Sequence, residues 1–137
     1  MAPTTHHLLV VDDEPFIGRI VRMAFEKSPY RVSVAGDGRS ALETLAGSPD
    51  IDCVLLDLNM PVMSGIDVME AVRRDARFAH TAFVVLTAAG QIGQVERAKE
   101  LGAAAVILKP FSPKKLYRQI AALYGDDQGH ADVGGEG

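Results

Sequence analysis

The chain has 137 residues, 47% hydrophobic and 23% charged, with a net charge of -4. This fits one domain with a full apolar core and carries no overall basic balance of the kind that marks direct nucleic-acid binding. No segment approaches the roughly 20 apolar residues that cross a bilayer, and residues 1–7 lack the basic stretch and apolar core of a secretory signal, so a cytoplasmic protein is expected.

In chain order, residues 7–11 read as a strand that is apolar on both faces, which suits a central parallel strand. Pro15 opens a helix, with Phe16, Ile20 and Ala24 recurring every four residues beside Ile17 and Val21 as its buried stripe. Residues 30–35 alternate and are rich in β-branched side chains, as at a sheet edge. A turn at Gly36-Asp37-Gly38 leads to a helix over 39–46 with Ala41, Leu42 and Leu45 inward. Residues 52–57 form a third strand, whose Cys53 reads as a buried small hydrophobe. Residues 58–64 form a loop, and 65–74 a helix carrying Ile66, Met69 and Val72 on one face. A connector over 75–81 precedes a strand at 82–87. The helix over 91–101, with Ile92, Val95 and Ala98 inward, contains Gly93 and follows Gly90, so it is expected to be the most mobile. Gly102 is placed to end it. A strand at 104–108 and a helix from Pro113, with Leu116, Ile120 and Leu123 inward, complete the pattern. Domain bounds are a flexible start at 1–6, a folded unit over 7–124 and a disordered tail over 125–137.

Strict alternation of five strands and five helices implies a doubly wound parallel α/β sheet, with strand order 2-1-3-4-5 as in flavodoxin-like (βα)5 folds. In that order the crevice between the ends of strands one and three is the ligand-binding switch point. Asp12, Asp13 and Asp57 fall there, with Thr87 and Lys109 at the ends of strands four and five. Three carboxylates in one place repel, and a hard divalent cation such as Mg²⁺ relieves the conflict. Asp13 and Asp57 are the first candidates to hold it. Asp12 could bind directly or through water, and the Asn59 backbone carbonyl could add a neutral oxygen. Asp57, alone at its strand end, is the candidate nucleophile toward a phosphoryl donor. Lys109 and Thr87 could each cover a phosphoryl oxygen. His6, His7, His80 and His130 lack metal-ligand spacing and read as surface residues.

The segments VVDDEP (10–15), LLDLNMPVMSG (55–65), VVLTA (84–88) and LKPF (108–111) resemble the receiver domain of two-component response regulators, of the single-domain, chemotaxis-regulator-like type, over nearly the whole ordered chain. The resemblance implies that Asp57 is the phosphoacceptor. It implies that Asp12 and Asp13 serve Mg²⁺ together with the Asn59 carbonyl, and that Thr87 and Lys109 contact the phosphoryl group. It also implies a cis bond between Lys109 and Pro110. The implied partners are a sensor histidine kinase or histidine phosphotransfer protein as donor, and a downstream protein target on the face of the fourth helix, fifth strand and fifth helix. No direct nucleic-acid or membrane partner is expected, and the protein would be a monomer or a phosphorylation-dependent dimer. Such a domain catalyses only its own phosphorylation and dephosphorylation. The family usually has Tyr or Phe three residues before the lysine. Val106 stands there, so the aromatic readout is missing and the segment over 90–93 is the expected substitute.

The leading expectation is thus a phosphorylation-activated signalling switch. The alternative is a receiver-like interaction module that does not use phosphorylation, supported by Val106 alone. No output domain fits after Leu123, so the chain is expected to be a stand-alone receiver or a piece of a longer protein.

Overall fold

Strands that are apolar on both sides need cover on both sides, and the chain supplies it by interleaving helices. The computed structural model describes residues 6–125. Strands β1 (His7–Val11), β2 (Arg31–Ala35), β3 (Ile51–Asp57), β4 (Ala82–Thr87) and β5 (Ala105–Leu108) alternate with helices α1 (Pro15–Phe25), α2 (Gly38–Gly47), α3 (Gly65–Arg73), α4 (Ile92–Glu100) and α5 (Pro113–Leu123). A 3₁₀ turn at Ala76–Phe78 precedes β4. The sheet is parallel throughout, in the order β2-β1-β3-β4-β5.

Because side chains alternate along a strand, the sheet divides the core in two. Leu9, Val11, Val54, Leu56, Phe83 and Val85 pack with Ala41, Leu45, Val68, Met69 and Val72 from α2 and α3. Leu8, Val10, Leu55, Val84, Leu86 and Ile107 pack on the other face with Ile17, Val21, Phe25, Leu116 and Ile120 from α1 and α5. Cys53 is buried and free, and burial pushes its thiol up to about 12.

Four sequence expectations need correction. The buried stripe of α1 is Ile17, Val21 and Phe25 with Gly18: of the stripe expected, Ile17 and Val21 are buried, Ile20 and Ala24 are half-buried, and Phe16 is exposed. Gly18 allows this phase: a Cβ there would lie 3.2 Å from Val34. Ile92 and Leu123 face solvent rather than the core. Ile92 stands in the first turn of α4, while Ala98, further along, is the buried residue of that helix. At the end of α5 it is Tyr124, not Leu123, that turns in, stacking 3.8 Å from the His6 ring. His6 and His7 are not surface residues. His7 is buried, with Nδ1 2.9 Å from Asp50 Oδ2 and Nε2 2.7 Å from Ser33 Oγ, and His6 Nδ1 lies 2.8 Å from Asp52 Oδ2. His80 is exposed, and His130 lies outside the described residues. So do the expected flexible ends, apart from His6 and Gly125.

Gly65 fixes where α3 starts relative to β3. A Cβ at this position would stand 2.4 Å from the Asp57 carbonyl oxygen and 2.8 Å from Leu58 Cα, both backbone atoms that cannot swing aside. The Gly65 amide meanwhile donates to the Leu58 carbonyl at 3.2 Å. Ser64 caps the helix reciprocally with Asp67, a device that satisfies two otherwise unpaired donors. We therefore expect Gly65→Ala to lower unfolding free energy by about 2 kcal/mol through forced backbone displacement. Urea denaturation would register this as a lower midpoint at unchanged slope, whereas an unshifted midpoint would show that the close approach is not needed.

Candidate functional site

The parallel register carries the charged residues to one edge. Val11 is level with Leu56, so Asp12 follows β1 beside Asp57 at the end of β3. Asp57 is level with Leu86 and Thr87 with Leu108, so Thr87 and Lys109 continue the same edge. Backbone bonds hold it square: Leu58 N donates to Leu86 O at 3.3 Å, and Lys109 N to Thr87 O at 2.8 Å. The Lys109–Pro110 peptide is cis.

Asp12, Asp13 and Asp57 each offer a carboxylate oxygen, and these oxygens lie within 4.8 Å of one another. Asp12 and Asp57 are buried and Asp13 is exposed. Local amides orient the two buried groups, with Glu14 N donating to Asp12 Oδ1 at 2.9 Å and Asn59 N to Asp57 Oδ1 at 3.1 Å. Lys109 reaches in between. Its Nζ is 2.8 Å from Asp12 Oδ2, 3.1 Å from Glu14 Oε1 and 3.6 Å from Asp57 Oδ2. The result is a pocket of about 330 Å³ lined by Asp13, Glu14, Asp57, Asn59, Ala88 and Lys109.

The electrostatics are unequal. Burial pushes the Asp57 carboxyl up to about 6. The Asn59 amide and the Lys109 charge oppose the rise, while Asp12 and Asp13 add to it. Partial burial works to lower the Lys109 ammonium, yet its bonds to Asp12 and Glu14 outweigh this and hold it above the usual lysine value. These directions are compatible because Lys109 is closer to Asp12 and Glu14 than to Asp57. Asp57 is left with excess negative charge that nothing in the protein neutralises fully. Asp12 Oδ2 is buried and makes no aligned hydrogen bond, despite its short contact with Lys109. Two buried carboxylates held beside each other, with an exposed third carboxylate at the pocket mouth, are a donor set that a hard divalent cation fits.

Four of the expected site residues meet here: Asp12, Asp13, Asp57 and Lys109. The Asn59 amide bonds Asp57 and the residue lines the pocket. Thr87 is at the edge, but its hydroxyl bonds elsewhere, to Ala88 O and Gln91 Oε1, each at 3.2 Å. Val106 is half-buried against the α2–α3 side of the core. Two contributors escaped the sequence reading. Glu14 competes for Lys109, and the acidic run Asp12-Asp13-Glu14 was the available signal. Gln91 holds Thr87, and nothing in its neighbourhood announces that.

The fold and this charged edge define a receiver-type α/β domain, and comparison with known proteins agrees. A family model described as the response regulator receiver domain matches residues 8–121. The chain is 34% identical over 119 residues to a probable chemotaxis protein CheY of Rhizobium etli, covering 86% of this chain and 92% of that one. It is 40% identical over 121 residues to the nitrate/nitrite response regulator protein NarP of Escherichia coli, covering 87% of this chain but only 55% of that longer protein. The solved structure of the chemotaxis response regulator CheY4 of Vibrio cholerae superposes with a TM-score of 0.80 at 31% identity, over 87% of this chain and 98% of that one. The chain belongs to the response regulator receiver domain family, the phosphorylation-dependent signalling domains of two-component systems. No helix among the described residues is long and apolar enough to cross a membrane.

The raised Asp57 carboxyl has a consequence for stability. The folded state binds that proton more tightly than the unfolded chain does. Its contribution is therefore complete below about pH 4, falls away as pH rises toward about 6, and leaves a charge penalty above that. In metal-free buffer Asp57→Asn should be more stable than wild type at about pH 7.5. The expected gain is about 1 kcal/mol after discounting for solvent at the pocket mouth, and it should vanish near pH 4. Paired thermal melts at the two pH values test this, and an advantage independent of pH would disprove the electrostatic origin.

Proposed function

We propose that this protein is a phosphorylation-operated switch in which Asp57 accepts a phosphoryl group, with Mg²⁺, from a phosphohistidine on a sensor histidine kinase or phosphotransfer protein. The observation that carries the reading is the convergence of Asp12, Asp13 and Asp57 within 4.8 Å, with Lys109 Nζ 3.6 Å from Asp57.

The chemistry follows from what each group can do. An Asp57 carboxylate oxygen forms a bond to phosphorus as the P–N bond of the donor breaks, and the departing imidazole keeps the electron pair and takes up a proton. The product is an acyl phosphate on Asp57. The transition state is loose, so catalysis is mainly positioning and charge neutralisation. Asp12 and Asp13 would hold the cation together with Asp57 and the Asn59 carbonyl. Bound there, Mg²⁺ supplies neutralisation of phosphoryl oxygens that three carboxylates alone would repel. Lys109 has its ammonium near Asp57 already and would shift from Glu14 toward a phosphoryl oxygen. The open pocket admits water, so hydrolysis of the acyl phosphate can reset the protein without a further site.

Moving a two-state equilibrium from 1:99 to 99:1 takes about 5.5 kcal/mol of differential stabilisation. Charge-assisted hydrogen bonds from Lys109 and Thr87 to the phosphoryl group, with the cation, are of the right order. We take the downstream partner to dock on the α4–β5–α5 face, where Ile92 and Leu108 are exposed. Direct nucleic-acid binding forms no part of this function.

The test is direct. Incubated with phosphoramidate and Mg²⁺, the wild-type protein should gain the mass of one phosphoryl group by intact mass spectrometry. Asp57→Ala should gain none, EDTA should abolish the gain, and Lys109→Ala should slow it at least tenfold, the order expected when one charged transition-state contact is lost. Unmodified wild type at saturating donor would refute the proposal.

A further inference from the structure

Thr87 lies at the end of β4, between the strand of Asp57 and the strand that leads to Lys109. It is buried, at 1% exposure. Its hydroxyl nevertheless reaches toward Gln91 Oε1 and the Ala88 carbonyl, each 3.2 Å away. A hydroxyl has one hydrogen to donate. That hydrogen is shared here between Gln91 Oε1 and the Ala88 carbonyl, so turning it to a phosphoryl oxygen on Asp57 gives up both bonds.

Gln91 stands immediately before α4, with φ -107° and ψ 48°, and its side chain does not cap the helix. Short side chains such as Ser, Thr, Asp and Asn usually cap, and this longer amide reaches back to β4 instead. The surrounding chain can respond when that bond is lost. Gly90 has φ +92°, a conformation natural only to glycine. Gly93 has open space where a Cβ would stand, and Ile92 next to Gln91 is 72% exposed. On β5, Val106 has no ring that could follow a movement of Thr87.

Resting on the reading of Asp57 as phosphoacceptor, we propose that Gln91 is a positioning residue. In the unmodified protein it holds the Thr87 hydroxyl on the α4 side. Thr87 can turn to a phosphoryl group only by releasing Gln91, and that release frees the first turn of α4. The Thr87–Gln91 bond is both a restraint on activation and the link from the pocket to the α4 surface.

The probe is beryllium fluoride with Mg²⁺, which forms a phosphoryl-like adduct on a carboxylate, followed by ¹H–¹⁵N NMR. Q91L removes the acceptor at similar size, Q91A removes it with less bulk, and Q91E retains an acceptor of the same reach. Q91L and Q91A should bind the adduct about fivefold more tightly than wild type, the effect of one ordinary hydrogen bond, with Q91E within about twofold of wild type. In free Q91L, the Ile92 and Val95 amides should already be shifted toward their adduct positions. The tightening should disappear when Q91L is made on a T87V background, because coupled residues are non-additive. Equal affinity of Q91L, Q91A and wild type would overturn the proposal, as would a gain that persists in T87V. Mg²⁺ affinity should be the same in wild type, Q91L and Q91E. A weaker Mg²⁺ site in Q91L would also overturn it, since Gln91 would then be supporting the pocket. If wild type forms no adduct at all, the phosphoacceptor reading falls and this proposal with it, which is a different result from an adduct that is indifferent to Gln91.

Discussion

Like-charge repulsion between carboxylates at the ends of β1 and β3 is the constraint on which the rest of this protein depends. Asp12 and Asp57 are buried beside each other, with Asp13 completing a triangle of oxygens within 4.8 Å. Left to itself such an arrangement takes up a proton or loosens, and the Asp57 carboxyl, raised first by burial, is raised further by Asp12 and Asp13. The fold maintains it because both carboxylates are fixed by neighbouring amides and by strands whose apolar residues are fully buried. What relieves the tension must come from outside, and positive charge in the form of a cation is suited to do so. The same repulsion that strains the resting site makes it receptive.

Lys109 shows how this tension is kept short of collapse. It reaches the site from β5, beyond the end of β4, and meets three carboxylates at unequal distances. The shortest contacts are to Asp12 and Glu14, so its charge steadies the rim while Asp57 stays only partly compensated. A residue that is already close to the reacting group, but bonded mainly elsewhere, can change partners with little rearrangement. Thr87 is arranged on the same plan, with its hydroxyl bonded to Ala88 O and Gln91 Oε1. The resting protein thus holds the pieces of a phosphoryl site near one another with their strongest contacts directed away from Asp57.

The errors in the sequence reading have a common physical source. In α1 two adjacent apolar rows, Phe16-Ile20-Ala24 and Ile17-Val21-Phe25, have the same period. Periodicity cannot choose between them. The choice is made by Gly18 against Val34, and by Phe25 against Tyr30 and Tyr117 with ring centroids 5.0 and 5.2 Å apart. His6 and His7 look like a polar start to the chain. They are tied to Asp50, Asp52 and Ser33, partners 26 to 46 residues away that no local pattern reveals. Ile92 and Leu123 are the first and last residues of α4 and α5, and both are exposed although they fall in phase with their stripes. Val62, fully exposed with φ 69°, breaks both the burial and the backbone preference of its residue type, and its sequence context shows neither.

Where strand-like runs end in Asp12-Asp13, Asp57, Thr87 and Lys109, the sequence by itself determined the alternating α/β order, the parallel sheet and the edge on which the charged residues collect. These features rest on side-chain periodicity and on covalent order, both of which are local. Only the tertiary structure decided which carboxylate Lys109 favours, which way the Thr87 hydroxyl turns, and which face of each helix is covered. Those outcomes depend on distances of a few tenths of an ångström, between Lys109 and carboxylates on distant strands and between Thr87 and its neighbours in the turn before α4. Hydrogen bonds and ion pairs are too short-ranged to be read from spacing along the chain.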